Sequence, residues 1–215
     1  MKDLNTGAIC YINPIMTPLQ IGIDFDDILI EFNASIHAYY NKKLGTSIQK
    51  KDVFTYDMHR VWSCEPEEAG RRVFEFCETP EHHAAIPVDG SIEGIDELGK
   101  KHKLHLITSR SPAIEDLTLR WLQKHFSDKF AGIHFTGQFF GEKSTMRTKI
   151  DVCKELGIDL MIEDSASQAK ALAGAGIPVI LLDMPWNQEE MPEGITRVDS
   201  WDEIVRTIQA NSHTS

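Results

Sequence analysis

The sequence predicts an α/β fold, a doubly wound parallel sheet with a small helical cap inserted after the first strand. Three observations carry that expectation. From about residue 89 onward, apolar β-branched runs alternate with segments of helical period. The block 32–88 interrupts the alternation with helical patterns alone. Three carboxylates, Asp24, Asp26 and Asp27, crowd the end of the first apolar run, Ile21-Gly22-Ile23, and in open α/β sheets ligands bind beyond the carboxyl ends of the strands. The expected division is a tail or strap over 1–19, a core over 20–31 and 89–210, a cap over 32–88 and a tail over 211–215.

The elements follow in order. Residues 20–25 read as a buried strand, and in continued strand geometry Asp24 and Asp26 face one side. Ile36, Tyr39, Tyr40 and Leu44 repeat at helical spacing from Asn33, with Gly45 as the stop. A second helix runs from about Glu65 to Glu78, with Pro66 in its first turn, Ala69, Val73, Phe76 and Cys77 on its apolar face, and Thr79-Pro80 at its end. Ser91 can cap a helix with Ile92, Ile95 and Leu98 inward. Then come a strand at Leu104–Thr108, a helix opened by Ser111-Pro112, a strand at Gly132–Phe135 and a helix at Thr148–Leu156 closed by Gly157. A strand at Asp159–Glu163, a helix at Ala166–Ala173 and a strand at Pro178–Leu182 follow, and Ser200-Trp201-Asp202-Glu203 reads as a capping box opening the last helix.

Composition bounds the function. A chain of 215 residues, 41% of them apolar, buries one good core. No apolar run reaches the ~18 residues of a membrane span, and Met1–Gln20 has no signal-peptide pattern. Four cysteines without a Cys-x-x-Cys spacing predict reduced thiols in a cytoplasmic protein. A net charge of −11 disfavours nucleic acid polymers. A small phosphorylated substrate stays open, because a bound divalent ion inverts the local field.

Three further stations follow strands as Asp24 does. Thr108-Ser109-Arg110 places two hydroxyls and a guanidinium ahead of a helix N-terminus, an arrangement for an anion or simply a cap and turn. Lys149 opens a helix, with Lys143 six residues earlier; either neutralises a phosphoryl group or faces solvent. Glu163-Asp164-Ser165 ends an apolar strand, as ligands or as a helix cap. If Asp24, Asp26 and Asp164 converge, each pair repels by ~4 kcal/mol at ~4 Å and an effective dielectric of ~20. A hard divalent cation removes that cost, and all-oxygen ligands favour magnesium over zinc.

Asp24-Phe25-Asp26-Asp27-Ile28 resembles the first motif, Asp-x-Asp-x-Thr/Val, of the haloacid dehalogenase-like hydrolase superfamily. Thr108 resembles the second motif, Lys149 the third and Glu163-Asp164 the fourth, in order over about 20–183. Ile-Thr-Ser-Arg, the stretch from Lys149 to Asp159 and Ile-Glu-Asp-Ser look most like the 5′(3′)-deoxyribonucleotidase-type branch. Asp27 stands where that motif often has Gly, Ile28 where it has Thr or Val, and Glu163 where a common pair has Asp. For the third motif Lys149 is preferred to Lys143 because its helix leads to the Glu163 strand.

The resemblance implies a Rossmann-like core and a magnesium-dependent phosphomonoesterase. Asp24 is the implied nucleophile, forming an aspartyl-phosphate, and Asp26 the acid/base. Magnesium binds Asp24, the Asp26 backbone carbonyl and Asp164, with Glu163 as ligand or support. Thr108, Ser109 and Lys149 hold the phosphoryl oxygens, while Arg110 either touches substrate or makes a surface ion pair. In the cap, Phe54, Tyr56, His59, Arg60 and Trp62 concentrate aromatic and cationic groups that either meet a base and sugar or form the cap core and its surface. His82-His83 reads as a polar loop, and Met184-Pro185-Trp186-Asn187 as pocket lining or a turn. The expected substrate is a nucleoside monophosphate, with a sugar phosphate or another small ester as alternative. A phospho-accepting signalling domain and a silent, partner-binding relative are the readings from other classes. Oligomeric state is not legible.

Overall fold

The computed structural model describes residues 18–137 and 147–211. Six parallel strands form its sheet: β1 (Gln20–Ile23), β2 (Lys103–Thr108), β3 (Gly132–Phe135), β4 (Leu160–Glu163), β5 (Val179–Leu182) and β6 (Ile195–Val198), ordered β3-β2-β1-β4-β5-β6. Gly22 of β1 lies in register with His105 on one side and Met161 on the other. Strand order reverses beside β1, so crossovers leave toward opposite faces there and open a crevice at the carboxyl ends of β1 and β4. The α/β expectation holds. Five strands were expected; the sixth, β6, is a half-exposed edge strand whose Ile195-Thr196-Arg197-Val198 carries little apolar signal. β1 also ends two residues sooner than expected, at Ile23, although the Asp24 N–H still donates to the Ile162 carbonyl at 3.0 Å.

Between β1 and β2 lie five helices: α1 (Phe32–Leu44), α2 (Met58–Val61), α3 (Pro66–Cys77), α4 (Pro80–Ala84) and α5 (Ser91–Gly99). Gly45 stops α1 at φ +69°, its N–H donating to Asn41. The predicted apolar face of α3 is buried at Ala69, Val73, Phe76 and Cys77. Thr79-Pro80 does more than end α3: the Thr79 hydroxyl accepts the His82 N–H at 3.2 Å and opens α4, with Pro80 in the first turn. Ile95 and Leu98 of α5 point inward as expected, but Ile92 is 38% exposed. Its position lies one step off the buried stripe.

The remaining helices are α6 (Glu115–His125), α7 (Lys149–Leu156), α8 (Ala166–Gly174) and α9 (Trp201–Asn211). A reciprocal box at Thr148 and Asp151 caps α7. At α9 the Ser200 hydroxyl accepts the Glu203 N–H, but Glu203 reaches the Asp199 N–H rather than that of Ser200. Two buried indoles pin the start and end of the helical insertion. Trp201 donates to the Ile28 carbonyl at 2.9 Å and Trp121 to the Ala85 carbonyl at 2.8 Å. Gly94 lets Trp201 sit against α5, since a Cβ there would lie 2.4 Å from the indole.

Asp27 organises the turn that leaves β1. It is fully buried at φ +54°, a left-handed conformation that Asp tolerates better than most residues. Its carboxylate accepts the Asn33 N–H at 3.2 Å and the Asn33 amide at 2.6 Å, and Lys50 Nζ lies 3.7 Å away. The carboxylate therefore caps the first turn of α1 from a distance. Replacing Asp27 with Ala strands those buried donors, so unfolding in urea should show a loss of about 2 kcal/mol or more. A loss under about 0.5 kcal/mol, the usual range for surface changes, would contradict this role.

Candidate active site

The crevice is floored by groups from β1, β4 and α7. Lys149, 2% exposed, donates from Nζ to Asp24 Oδ1 at 2.7 Å and to Glu163 Oε1. Thr148 ends the preceding loop and caps α7, so Lys149 enters as the first helical residue and points back at the sheet. Glu163 turns its second oxygen to the backbone N–H groups of Asp164 and Ser165, at 3.1 and 3.2 Å. Both oxygens of Glu163 thus have protein donors. Asp164 differs: Oδ2 accepts the Trp186 indole N–H at 2.9 Å, while Oδ1 is buried without a protein partner among the described residues.

Asp24, Glu163 and Asp164 each offer a carboxylate oxygen, and these atoms lie within 4.8 Å of one another. All three carboxylates and the single ammonium of Lys149 are more than nine-tenths buried. As ionised groups they leave two negative charges uncompensated among the described residues, and each buried unpaired charge costs several kcal/mol. Burial pushes the Asp24 carboxyl up to about 7, against the pull of Lys149 and with help from Glu163 and Asp26. Asp164 is held well above the usual carboxylate range by burial, then by Glu163 and Asp24. For Lys149, burial alone would lower the pKa, but Asp24 and Glu163 outweigh it and keep the ammonium. The donor set, the charge deficit and the orphan oxygen fit one hard divalent cation.

Beside this floor, β2 ends in hydroxyls. Thr108 is buried and Ser109 half-buried, and both line the cavity over Asp24. Ser109 Oγ has no protein partner among the described residues, and Thr108 Oγ1 accepts the Arg110 N–H at 3.2 Å. Thr108, Ser109 and Lys149 therefore meet Asp24 and Asp26 at one cavity, whose volume is about 720 Å³. Lys143, the other candidate lysine, falls outside the described residues.

Arg110 departs from expectation. Its pair is buried rather than at the surface: it is 4% exposed and grips Asp26 through Nε at 3.0 Å and Nη2 at 2.7 Å. Its guanidinium lies 4.4 Å from the Phe25 ring centre and 5.2 Å from that of Phe32, and donates to Thr118 at 3.0 Å. His82, expected in a polar loop, is buried beside it, with Nε2 at 3.1 Å from Nη2. Burial and then Arg110 drive the His82 pKa down to about 3, so a neutral imidazole accepts from the guanidinium. Asp26 lies at the edge of the cavity and of this buried cluster alike.

The insertion supplies the opposite wall through Tyr56, His59, Arg71 and Phe74. Of the cap residues singled out from sequence, Tyr56 and His59 arrive and the others do not. Phe54 is 59% exposed and stacks under Arg60, with the guanidinium 5.6 Å from its ring. Trp62 turns into the cap interior, donating to His37 Nδ1 at 3.2 Å and packing on Tyr40. Arg71 and Phe74 were missed. Both lie on α3 beside its buried stripe, and the amphipathic pattern alone does not say which flank of a helix looks into a cavity. Burial, then the nearby Asp164, Asp26 and Asp24 carboxylates, raise the Tyr56 phenol far above its ordinary pKa, so it is neutral.

A family model for "5′ nucleotidase, deoxy (Pyrimidine), cytosolic type C protein" matches residues 17–213. The Bacillus subtilis protein YqfW, provisionally named a nucleotidase, is 29% identical over 199 residues, covering 91% of this chain and 96% of that one. A haloacid dehalogenase-like hydrolase from Streptococcus pneumoniae superposes with a TM-score of 0.67 at 16% identity, covering 89% of this chain and 99% of that one. The Bacillus subtilis hydrolase YfnB, solved bound to magnesium, superposes at 0.60 with 12% identity, covering 90% and 99%. These two show a shared fold.

The raised carboxyl pKa values set a pH dependence. In chelator, the folded chain holds protons that the unfolded chain releases from its ordinary carboxylates near pH 4. That stability is complete below about pH 4 and is lost as pH rises through about 7, the value reached by Asp24 and Asp27. Buried histidines such as His37 and His82, pushed down to about 4 and about 3, act in the opposite sense as pH rises through about 6.5, so the magnesium effect isolates the carboxyls: saturating magnesium should raise the melting temperature more at about pH 8 than at about pH 5.5. A magnesium effect that is indifferent to pH, or larger at about pH 5.5, would contradict the assignment.

Proposed function

Because the chain belongs to the family of cytosolic type C 5′ nucleotidases, deoxy (pyrimidine), and is a haloacid dehalogenase-like phosphatase of the nucleotidase kind, we propose that it is a magnesium-dependent enzyme of the cytoplasm. Its proposed substrate is a nucleoside monophosphate, cleaved through an aspartyl-phosphate. The observation that carries this reading is the convergence of Asp24, Asp26, Thr108, Ser109 and Lys149 on one cavity beside the buried Asp24–Glu163–Asp164 group.

The residues divide the work by their partners. Asp24, with Oδ1 held by Lys149, attacks phosphorus in line. The P–O bond to the ester oxygen breaks, and Asp26 protonates the departing alkoxide. Asp26 then takes a proton from water, which attacks the aspartyl-phosphate and frees Asp24 and inorganic phosphate. Arg110 fixes the orientation of the Asp26 carboxyl through Nε at 3.0 Å and Nη2 at 2.7 Å. Thr108, Ser109 and Lys149 hold the phosphoryl oxygens where charge develops. Magnesium would be held by Asp24, Asp164 and the Asp26 carbonyl, and supplies neutralisation of phosphoryl and carboxylate charge. Glu163 serves as support, since both its oxygens already have donors.

The far wall suits a base and sugar. Phe74 and Tyr56 offer ring faces, and His59 and Arg71 offer donors. The volume of about 720 Å³ lies within the ~300–1,000 Å³ of small-molecule sites.

Phosphate release from a panel of monoesters tests the proposal. Nucleoside monophosphates should be preferred, with turnover dependent on magnesium. Asp24→Asn should reduce it to background and Asp26→Asn by ~10²–10⁴. Phe74→Ala should raise KM for a nucleotide more than for a phenyl phosphate that has no base. Undiminished turnover in Asp24→Asn would sink the nucleophile, and a preference for sugar phosphates would overturn the substrate.

A further inference from the structure

Trp186 takes no part in the chemistry, yet its indole is built into the cation site. We infer that Trp186 is a positioning residue that fixes the Asp164 carboxylate for the cation. The inference rests on the reading that the buried carboxylates hold a divalent ion. Trp186 is 6% exposed, and its N–H donates to Asp164 Oδ2 at 2.9 Å. The indole is a donor only, so it cannot ligate a cation itself. By occupying Oδ2 it leaves Oδ1, buried and without a protein partner among the described residues, as the oxygen available to an ion. The terminal torsion of an aspartate is soft, and a hydrogen bond to one oxygen is what sets it.

The indole is itself held firmly. Asn187, fully buried, donates from Nδ2 to the Asp164 carbonyl at 2.7 Å and to the Leu182 carbonyl at 2.8 Å. Arg197 of the edge strand β6 in turn donates to Asn187 Oδ1 and to the Asn187 carbonyl, both at 2.6 Å. The turn after β5 is thereby tied both to the Asp164 backbone and to β6. On its open side the Trp186 ring meets two groups from the insertion: Lys50 Nζ, 5.9 Å from its centre, and the Tyr56 ring, edge-on at 6.5 Å. The anchored turn holds the backbone beside Trp186 and these two groups flank its ring, so the indole hydrogen bond orients the carboxylate before any ion arrives.

Titration of the chelator-stripped full-length protein with manganese, with free ion read by electron paramagnetic resonance, tests this. Trp186→Phe keeps an aromatic ring and deletes the N–H. It should weaken manganese binding by ~10–100-fold, the usual cost of losing a group that orients a ligand. A purely packing role would lower the melting temperature in chelator and leave manganese affinity unchanged, and that result overturns the inference. If the variant does not fold, nitrogen-15 spectra of the wild-type indoles decide. The Trp186 resonance should move on magnesium addition and stay put in Asp164→Asn; an unmoved wild-type resonance overturns the inference. Failure of the wild-type protein to bind manganese overturns the cation site itself, a result separate from equal binding by wild type and Trp186→Phe.

Discussion

Three carboxylates buried at the meeting of β1 and β4, with one lysine among them, are the constraint around which the molecule is arranged. Among the described residues their charge does not balance. Lys149 offsets one charge, the backbone N–H groups after Glu163 soften another, and Asp164 is left with an oxygen that nothing in the described chain satisfies. A protein of ordinary marginal stability does not keep such a group idle. The sheet topology makes the arrangement possible, since the strand-order reversal beside β1 opens the one place where Asp24 and Asp164 can meet from adjacent strands.

Around that floor, each of the three aspartates after β1 is drawn in a different direction. Asp24 pairs with Lys149, Asp26 with Arg110 and Asp27 with Asn33. The strand ends at Ile23, and Asp24 and Asp26 then take different partners although both reach the cavity. This resolves the apparent surplus of acid. Asp27 belongs to the architecture, capping α1 and holding Lys50, which also pairs with Glu31 at 2.8 Å and lies over Trp186. The insertion and the core are thus tied together at residues adjacent to the reacting groups.

Much of the floor was legible because each member sits at the end of an apolar run or the start of a capped helix. Asp24, Thr108, Lys149 and Glu163-Asp164 all announce themselves in that way. Arg110 did not, because its partner is 84 residues away and its depth depends on Phe25, Phe32 and Thr118 closing over it. Asp27 was unreadable without its left-handed φ. In the insertion, aromatic and cationic composition pointed to Phe54, Arg60 and Trp62, whereas the cavity is met by Arg71 and Phe74 on the flank of α3. Composition reports which groups are available, and only packing decides which way they face. The edge strand β6 escaped notice for a related reason: half-exposed, it has no continuous apolar run.

Two negative charges of the Asp24–Glu163–Asp164 group are left over among the described residues when all three carboxylates ionise beside Lys149. Calorimetric titration of the chelator-stripped protein with magnesium near pH 6.5, repeated in buffers of different ionisation enthalpy, measures them directly. The expected result is one ion per chain and a net release of protons, because Asp24, raised to about 7, and Asp164 must ionise to accept it. Binding without proton release, or no saturable binding, would contradict it.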